Sequence, residues 1–396
     1  SFKDAPRGKL LALDLHKPDM KQARLVMPQG AGVIREVEVG RDGLWVKLSE
    51  GGVDKLVQLS FAGKAKPVTL PVNGSMREMA ASETGNQLLV KLESWTESPR
   101  YFSVDGKRGT VSDTGLMAKS PVSFADIEAR RVMVKSHDGV MVPLSIVMPR
   151  AAKLDGSHPL QLSGYGAYGI TMEARFNPQS KAWIEQGGVL ATCHVRGGGE
   201  FGEEWHRGGY IQTKANTAKD FIACADWLVK EGYTSPGKLA GRAGSAGGIT
   251  IGGAITARPE LFAAANSAVG VSDMLRMEFT PNGPPNIAEF GTVTREADFR
   301  AMLSNSPYHR IKDGVAYPAV IVTTGANDPR VDAWMPAKLA ARLQAASSSK
   351  KPVILRVDYD GGHGMGSTKA QQIAETADVW SFFLWQMGVP AFQPKP

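Results

Sequence analysis

Residues 237–255 read GKLAGRAGSAGGITIGGAI. A short apolar run meets a cluster of small residues around Ser245, and a helix-compatible run follows. A nucleophile elbow needs small residues two before and two after its serine, because a larger side chain would clash where the strand folds back into the helix. The pattern here is Ala243-Gly244-Ser245-Ala246-Gly247, so one glycine of G-x-S-x-G has become alanine, the smallest departure available. The helix that follows would aim its N-terminal N–H groups at the serine. A plain glycine-rich strand–helix turn has the same local composition, so the reading depends on partners elsewhere in the chain.

Hydrolases built on this elbow carry an acid and then a histidine on later strand-end loops. After AVIVTTG (319–325) comes ANDPRVD with Asp328, and after PVILRVDY (352–359) comes DGGHGMG with His363. In that arrangement Ser245 attacks a carbonyl carbon, and His363 takes its proton and passes it to the leaving group. Asp328 fixes the imidazole tautomer and stabilises its cation. Asp332, Asp358 and Asp360 are rival acids by proximity. The base must be neutral in the resting enzyme, so activity is expected to fall in acid.

The surroundings support the elbow. RRVMVKS and VPLSIVMP read as a strand pair, and PLQLSGYG, GVLATCHV, GKLAGRAG, AVIVTTG and PVILRVDY are short apolar runs typical of buried parallel strands. Helical patterns lie between them. In ANTAKDFIACADWLVKEGY, Phe221, Ala225 and Leu228 share a face, and in TKAQQIAETADVWSFFLWQMG, Ile373, Trp380, Phe383 and Met387 do. Strand alternating with helix predicts an α/β domain with a doubly wound, mostly parallel sheet, whose ligands sit at the carboxyl ends of its strands.

The first third is different. LWVKLSE (44–50) resembles LLVKLES (88–94), VIREVEV (33–39) resembles SMREMAA (75–81), and GKLLALDL (8–15) resembles VDKLVQLS (53–60). Short alternating runs separated by turns such as RDG, AGK and DGK are strand-and-hairpin chemistry. A repeat of about 42–46 residues fits a four-stranded propeller blade. Residues 1–118 are therefore read as the last blades of an incomplete β-propeller and 119–396 as the catalytic domain. A propeller needs about four to eight blades to close, so further N-terminal blades are expected, removed or carried on another chain. A small β-sandwich is the other reading of this repeat.

Composition narrows the function classes. The chain has 396 residues and a formal net charge of +7, with no dense Lys/Arg run interleaved with aromatics, so nucleic acid is not expected as a partner. No apolar run is long enough for a bilayer, and neither HExxH nor CxxC is present, so no metal and no cofactor are expected. Cys193 and Cys224 lie in the apolar contexts LATCHV and FIACADW, which favour buried free thiols. Gly197, Gly199 and Gly202 match G-x-G-x-x-G, but EEWHRGG follows, a poor start for a helix packed on a sheet, so dinucleotide binding is set aside.

With these residues in place, the chain resembles the prolyl oligopeptidase family of serine peptidases. The likeness lies in RGGGEFGEEWHRGG (196–209), AGSAGG (243–248), RPELFAAANSAVGVSDMLR (258–276), NDPRV (327–331) and GGHG (361–364). The resemblance implies an α/β-hydrolase fold beside a seven-bladed propeller that covers the active site. It implies that Tyr165, in SGYGAYG, and the Ala246 N–H form the oxyanion hole, and that Arg330 binds a substrate carbonyl, with Val331 beside it among the substrate-binding residues. In proline-cleaving members a tryptophan stacks on the substrate ring. Here Asn286 falls near that place, with Phe290 and Tyr168 as candidate aromatic walls and Glu289 as a nearby acid that could favour a basic side chain. The expected function is a serine peptidase acting on oligopeptides through an acyl-enzyme. An esterase, an acylaminoacyl-type exopeptidase, and a fragment inactive without its N-terminal part are the alternatives.

Overall fold

The computed structural model describes residues 1–364 and 367–394; Met365 and Gly366 of the His363 loop and the last two residues lie outside the described residues. The chain divides into two compact units. One comprises Ser1–Ala129, Thr171–Lys181 and Gly199–Trp205, and the other Arg130–Ile170, Ala182–Gly198 and His206–Pro396.

The first unit is antiparallel β. Strands β3 (Val33–Gly40), β4 (Gly43–Glu50), β5 (Val53–Ser60) and β6 (Ala65–Val68) form one four-stranded sheet. Strands β7 (Ser75–Ala81), β8 (Gln87–Glu93), β9 (Arg100–Asp105) and β10 (Thr110–Asp113) form a second. Both run up and down in sequence order, the form of a propeller blade. Strands β1 (Leu10–Ala12) and β2 (Arg24–Met27) make a two-stranded ribbon. The alternating apolar residues meet between sheets, with Trp45 and Leu56 of the first against Met76, Leu88, Val90 and Phe102 of the second. Removing that apolar area from water is worth about 25 cal/mol per Å².

The repeat extends to a defect in the strands. The register slips between Ile34 and Glu36 in one sheet and between Met76 and Glu78 in the other, so Arg35 and Arg77 occupy equivalent bulges. A bulge re-aims a side chain. Arg35 donates to Thr171 Oγ1 at 2.7 Å and to the Gly199 carbonyl, and Arg77 pairs with Glu173 and, at 3.5 Å, with Glu93. These two arginines hold segments 171–181 and 199–205 in this unit.

The second unit is an α/β-hydrolase sheet. Its eight strands are β11 (Ile127–Lys135), β12 (Met141–Pro149), β13 (Leu160–Ser163), β14 (Val189–Cys193), β15 (Leu239–Gly244), β16 (Ala264–Ala268), β17 (Ala319–Gly325) and β18 (Val353–Asp358), in the order β11-β12-β14-β13-β15-β16-β17-β18. β12 is antiparallel to β14, and from β14 to β18 every pairing is parallel. The helix Ala215–Lys230 buries Phe221, Ala225 and Leu228, as their spacing predicts.

Two expectations need correction. Cys193 and Cys224 are not free thiols. They form a disulfide, Cα atoms 6.2 Å apart, joining β14 to the helix Ala215–Lys230. Tertiary packing brings a strand and a helix 31 residues apart in sequence into contact. In the helix Lys369–Gln386, Ile373 is exposed, and burial is confined to Val379, Phe382, Phe383 and Leu384, because only the second half lies on the core. The sheet also has a central strand that the apolar runs do not include, AANSA of β16, whose residues have weak strand preference.

Candidate active site

Ser245 directly follows β15 at φ +55°, a left-handed conformation unusual for a side-chain-bearing residue. The surroundings over-determine it. Its N–H donates to the Ala268 carbonyl at 2.9 Å, and its own carbonyl accepts from the N–H groups of Gly248 and Val271, both at 2.9 Å. The need for small residues is visible: a Cβ on Gly247 would lie 3.0 Å from that of Ala243, and one on Gly248 would lie 2.7 Å from Gly270 Cα. Ala243 is therefore tolerated because the residue facing it, Gly247, has no side chain.

The other two members sit on the loops after β17 and β18. His363 Nε2 is 2.9 Å from Ser245 Oγ, and His363 Nδ1 is 2.7 Å from Asp328 Oδ2. Asp328 Oδ1 accepts from the amides of Arg330 at 2.8 Å and Val331 at 3.0 Å. Burial by itself would raise the Asp328 carboxyl; the hydrogen bond from His363 and those from the two amides outweigh it, and the carboxyl is held below its ordinary value. Two of the three rival acids are occupied elsewhere. Asp358 accepts from Gln371 and the Asp360 N–H, and Asp332 from Trp334.

Ser245 opens into a cavity of about 260 Å³ lined by Tyr165, Tyr168, Val271, Met277, Arg330 and Met335, among others. Tyr165 follows β13, its carbonyl held by Thr250 Oγ1 at 2.7 Å. Burial raises its phenol, while the nearby Ser245 hydroxyl favours the ionised form. The phenol thus stays a neutral donor facing the nucleophile. Ala246 caps the helix Gly247–Ala257, so its N–H points out of the helix start next to Ser245. The Arg330 guanidinium lines the cavity with no carboxylate partner among the described residues, so it is not a salt-bridge arginine.

The expected pocket residues are only partly placed there. Asn286, Tyr168 and Val331 line the cavity, and the Tyr168 hydroxyl donates to Asn286 Oδ1 at 2.7 Å. Phe290 does not line it: buried to 1% exposure, it packs edge-on behind Tyr168 with ring centroids 5.5 Å apart. Glu289 is unavailable to a substrate. It is buried and accepts from the Tyr168 N–H and from His206 Nε2, each at 2.8 Å. Val271, Met277 and Met335 add apolar wall from separate parts of the chain; Val271 lies in the 258–276 stretch, while Met277 and Met335 carry no motif. The G-x-G-x-x-G stretch leads only into the short helix Glu203–Arg207, and Gly197 is needed because its backbone packs on that of Gly166 and Gly209.

Comparison with known proteins identifies the family. The prolyl oligopeptidase family profile matches residues 174–390. The prolyl endopeptidase of Elizabethkingia meningoseptica is 31% identical over 395 residues, covering 99% of this chain and 56% of that protein. Prolyl oligopeptidase A of Amanita bisporigera is 30% identical, with 98% and 52% covered. A solved prolyl endopeptidase superposes with a TM-score of 0.93 at 30% identity over 98% of this chain and 57% of that one. Prolyl oligopeptidase B from Galerina marginata, bound to a hydrolysis and macrocyclization substrate, gives 0.91 at 28% identity, covering 98% and 55%. The chain spans about half the length of the relatives it matches. Sharing their sequence along nearly its whole length and their fold to within a TM-score of 0.93, the chain belongs to the prolyl oligopeptidase family.

Proposed function

We propose that this chain is the catalytic part of a serine peptidase that hydrolyses oligopeptides through an acyl-enzyme. The observation that carries the reading is the continuous hydrogen-bonded line from Ser245 Oγ through His363 to Asp328. Ser245 Oγ attacks the scissile carbonyl as its proton passes to His363 Nε2. The oxyanion accepts hydrogen bonds from the Tyr165 hydroxyl and the Ala246 N–H. His363 then protonates the leaving amine, and a water, deprotonated by the same nitrogen, releases the acid. Asp328 stays ionised throughout and holds the imidazole in place. Oxyanion donors of this kind lower a barrier by about 3 kcal/mol each.

The cavity favours an apolar residue before the scissile bond, proline included, over a basic one. Its wall is Val271, Met277, Val331 and Met335, its charged group is Arg330, and Glu289 is already occupied. Arg330 would bind a substrate carbonyl upstream. The propeller's remaining strands would come from sequence outside these residues, in keeping with relatives nearly twice as long.

The test is labelling with a fluorophosphonate, with the adduct located by peptide mass spectrometry, followed by cleavage of end-blocked peptides with proline, alanine or arginine before the scissile bond. An adduct on Ser245, absent in Ser245→Ala, and cleavage after proline or alanine are expected. Full peptidase activity in Ser245→Ala would overturn the assignment.

A further inference from the structure

Lys214 lies near the site and has no part in the mechanism above. It begins the helix Ala215–Lys230 and is 1% exposed. A buried ammonium is costly without a partner, yet no carboxylate lies within 4 Å of it among the described residues. Its Nζ donates to two carbonyls, those of Gly166 and, at 3.3 Å, Gly209, and stands 5.4 Å from the Phe290 ring centroid. Burial pushes it down to about 8. Gly166 immediately follows Tyr165.

A charge of the opposite sign acts on the same loop from the helix Ile287–Phe290. Glu289, also buried, accepts the Tyr168 N–H at 2.8 Å and is itself held by His206. The backbone between these clamps is in a conformation that needs holding. Gly166 is at φ +80°, Tyr168 at +57° and Gly169 at +62°. A Cβ on Gly166 would collide with Thr217 and Val195, so the loop is also tightly enclosed. A cation thus holds one carbonyl of the loop and an anion holds one N–H, on peptide groups either side of Ala167. Each charge–dipole contact strengthens in a dry environment.

We infer that Lys214 and Glu289 are positioning residues that together clamp the Tyr165–Gly169 loop, Lys214 setting the Tyr165 hydroxyl for the oxyanion and Glu289 setting Tyr168 against the substrate pocket. The inference rests on the peptidase reading above. It divides the two charges by kinetic role: Lys214 acts on the transition state through Tyr165, and Glu289 acts on substrate binding through Tyr168. Simple structural support would not make this division.

The test is a double-mutant cycle in the full chain with a chromogenic peptide, alongside thermal melting. Tyr165→Phe is expected to lower kcat about 100-fold. Lys214→Met is expected to lower kcat about tenfold with KM little changed, but by less than about twofold in the Tyr165→Phe background. Glu289→Ala is expected to raise KM several-fold, and Glu289→Gln, whose amide oxygen still accepts the Tyr168 N–H, to restore most of it. If Lys214→Met proves unfolded, Lys214→Arg carries the same cycle with a smaller expected loss. Equal losses from Lys214→Met in both backgrounds, or a loss in KM alone, would overturn the clamp. A wild-type chain that takes no fluorophosphonate label overturns the peptidase reading itself, so the two failures are distinct.

Discussion

His363 Nδ1 lies 2.7 Å from Asp328 Oδ2, while the other oxygen of that carboxylate is held by the amides of Arg330 and Val331. The acid is thus oriented by the loop that also carries the cavity-lining Arg330. Asp328→Asn preserves the shape but can offer an N–H where His363 needs an acceptor, favouring the wrong tautomer. A fall in kcat of about 10³–10⁴-fold is expected, by analogy with other triads, with little change in KM. Steady-state kinetics of the variant checks this, and a loss below tenfold would show that another acid serves His363.

Arg330 can be removed without orphaning an acid, because its guanidinium has no carboxylate partner among the described residues. Arg330→Ala should leave the melting temperature unchanged. If it binds a substrate carbonyl, losing a charged hydrogen bond of about 1.5–3 kcal/mol lowers kcat/KM about 10–100-fold. Unchanged kinetics on peptides long enough to reach it would place it outside the binding path.

Asp138 predicts an acid-stability window. The Arg196 hydrogen bond is the main cause that lowers its carboxyl to about 2, from the ordinary 3.8. A depressed folded value means stability that is fully present above the unfolded value and lost as pH falls through the folded one. The window therefore runs from about pH 4 down to about pH 2. Urea unfolding across that range should show a shallower pH dependence for Asp138→Asn than for the wild type. Parallel slopes would show that the pair contributes nothing to acid stability.

The disulfide closes a loop of 31 residues between Cys193 and Cys224. Loop-closure entropy gives it a stabilisation of about 3–4 kcal/mol. The Cys193→Ala/Cys224→Ala double variant should melt well below the oxidised wild type, and non-reducing peptide mapping should recover the linked pair. Free thiols in the unfolded, unreduced protein would contradict the bond.

The elbow, the triad and the blade repeat were legible in the sequence because each is a local demand. A turn at φ +55° needs small neighbours, a strand-end loop needs glycines around its histidine, and a hairpin repeat needs alternating residues at a constant offset. Order along the chain then joined Ser245, Asp328 and His363 without any knowledge of distance. What could not be read was whatever depends on which surfaces meet. Ile373 keeps the helical period but extends past the core, so it stays in water. AANSA is a poor strand by preference, and it becomes one because β15 and β17 pair with it on both sides. Phe290 and Glu289 have the right chemistry for a pocket wall, yet packing turns them behind Tyr168, where they support the wall instead.

Lys214 and the two cysteines show the same division. By itself the sequence determined which groups could do chemistry and the order in which a hydrolase sheet would present them. Only the tertiary structure decided which of those groups share a dry interior, because burial and hydrogen-bond partners are set by contacts between segments far apart in the chain. That is why a lysine with no motif around it holds the carbonyl of Gly166, next to Tyr165, and why two thiols in separate apolar runs are joined.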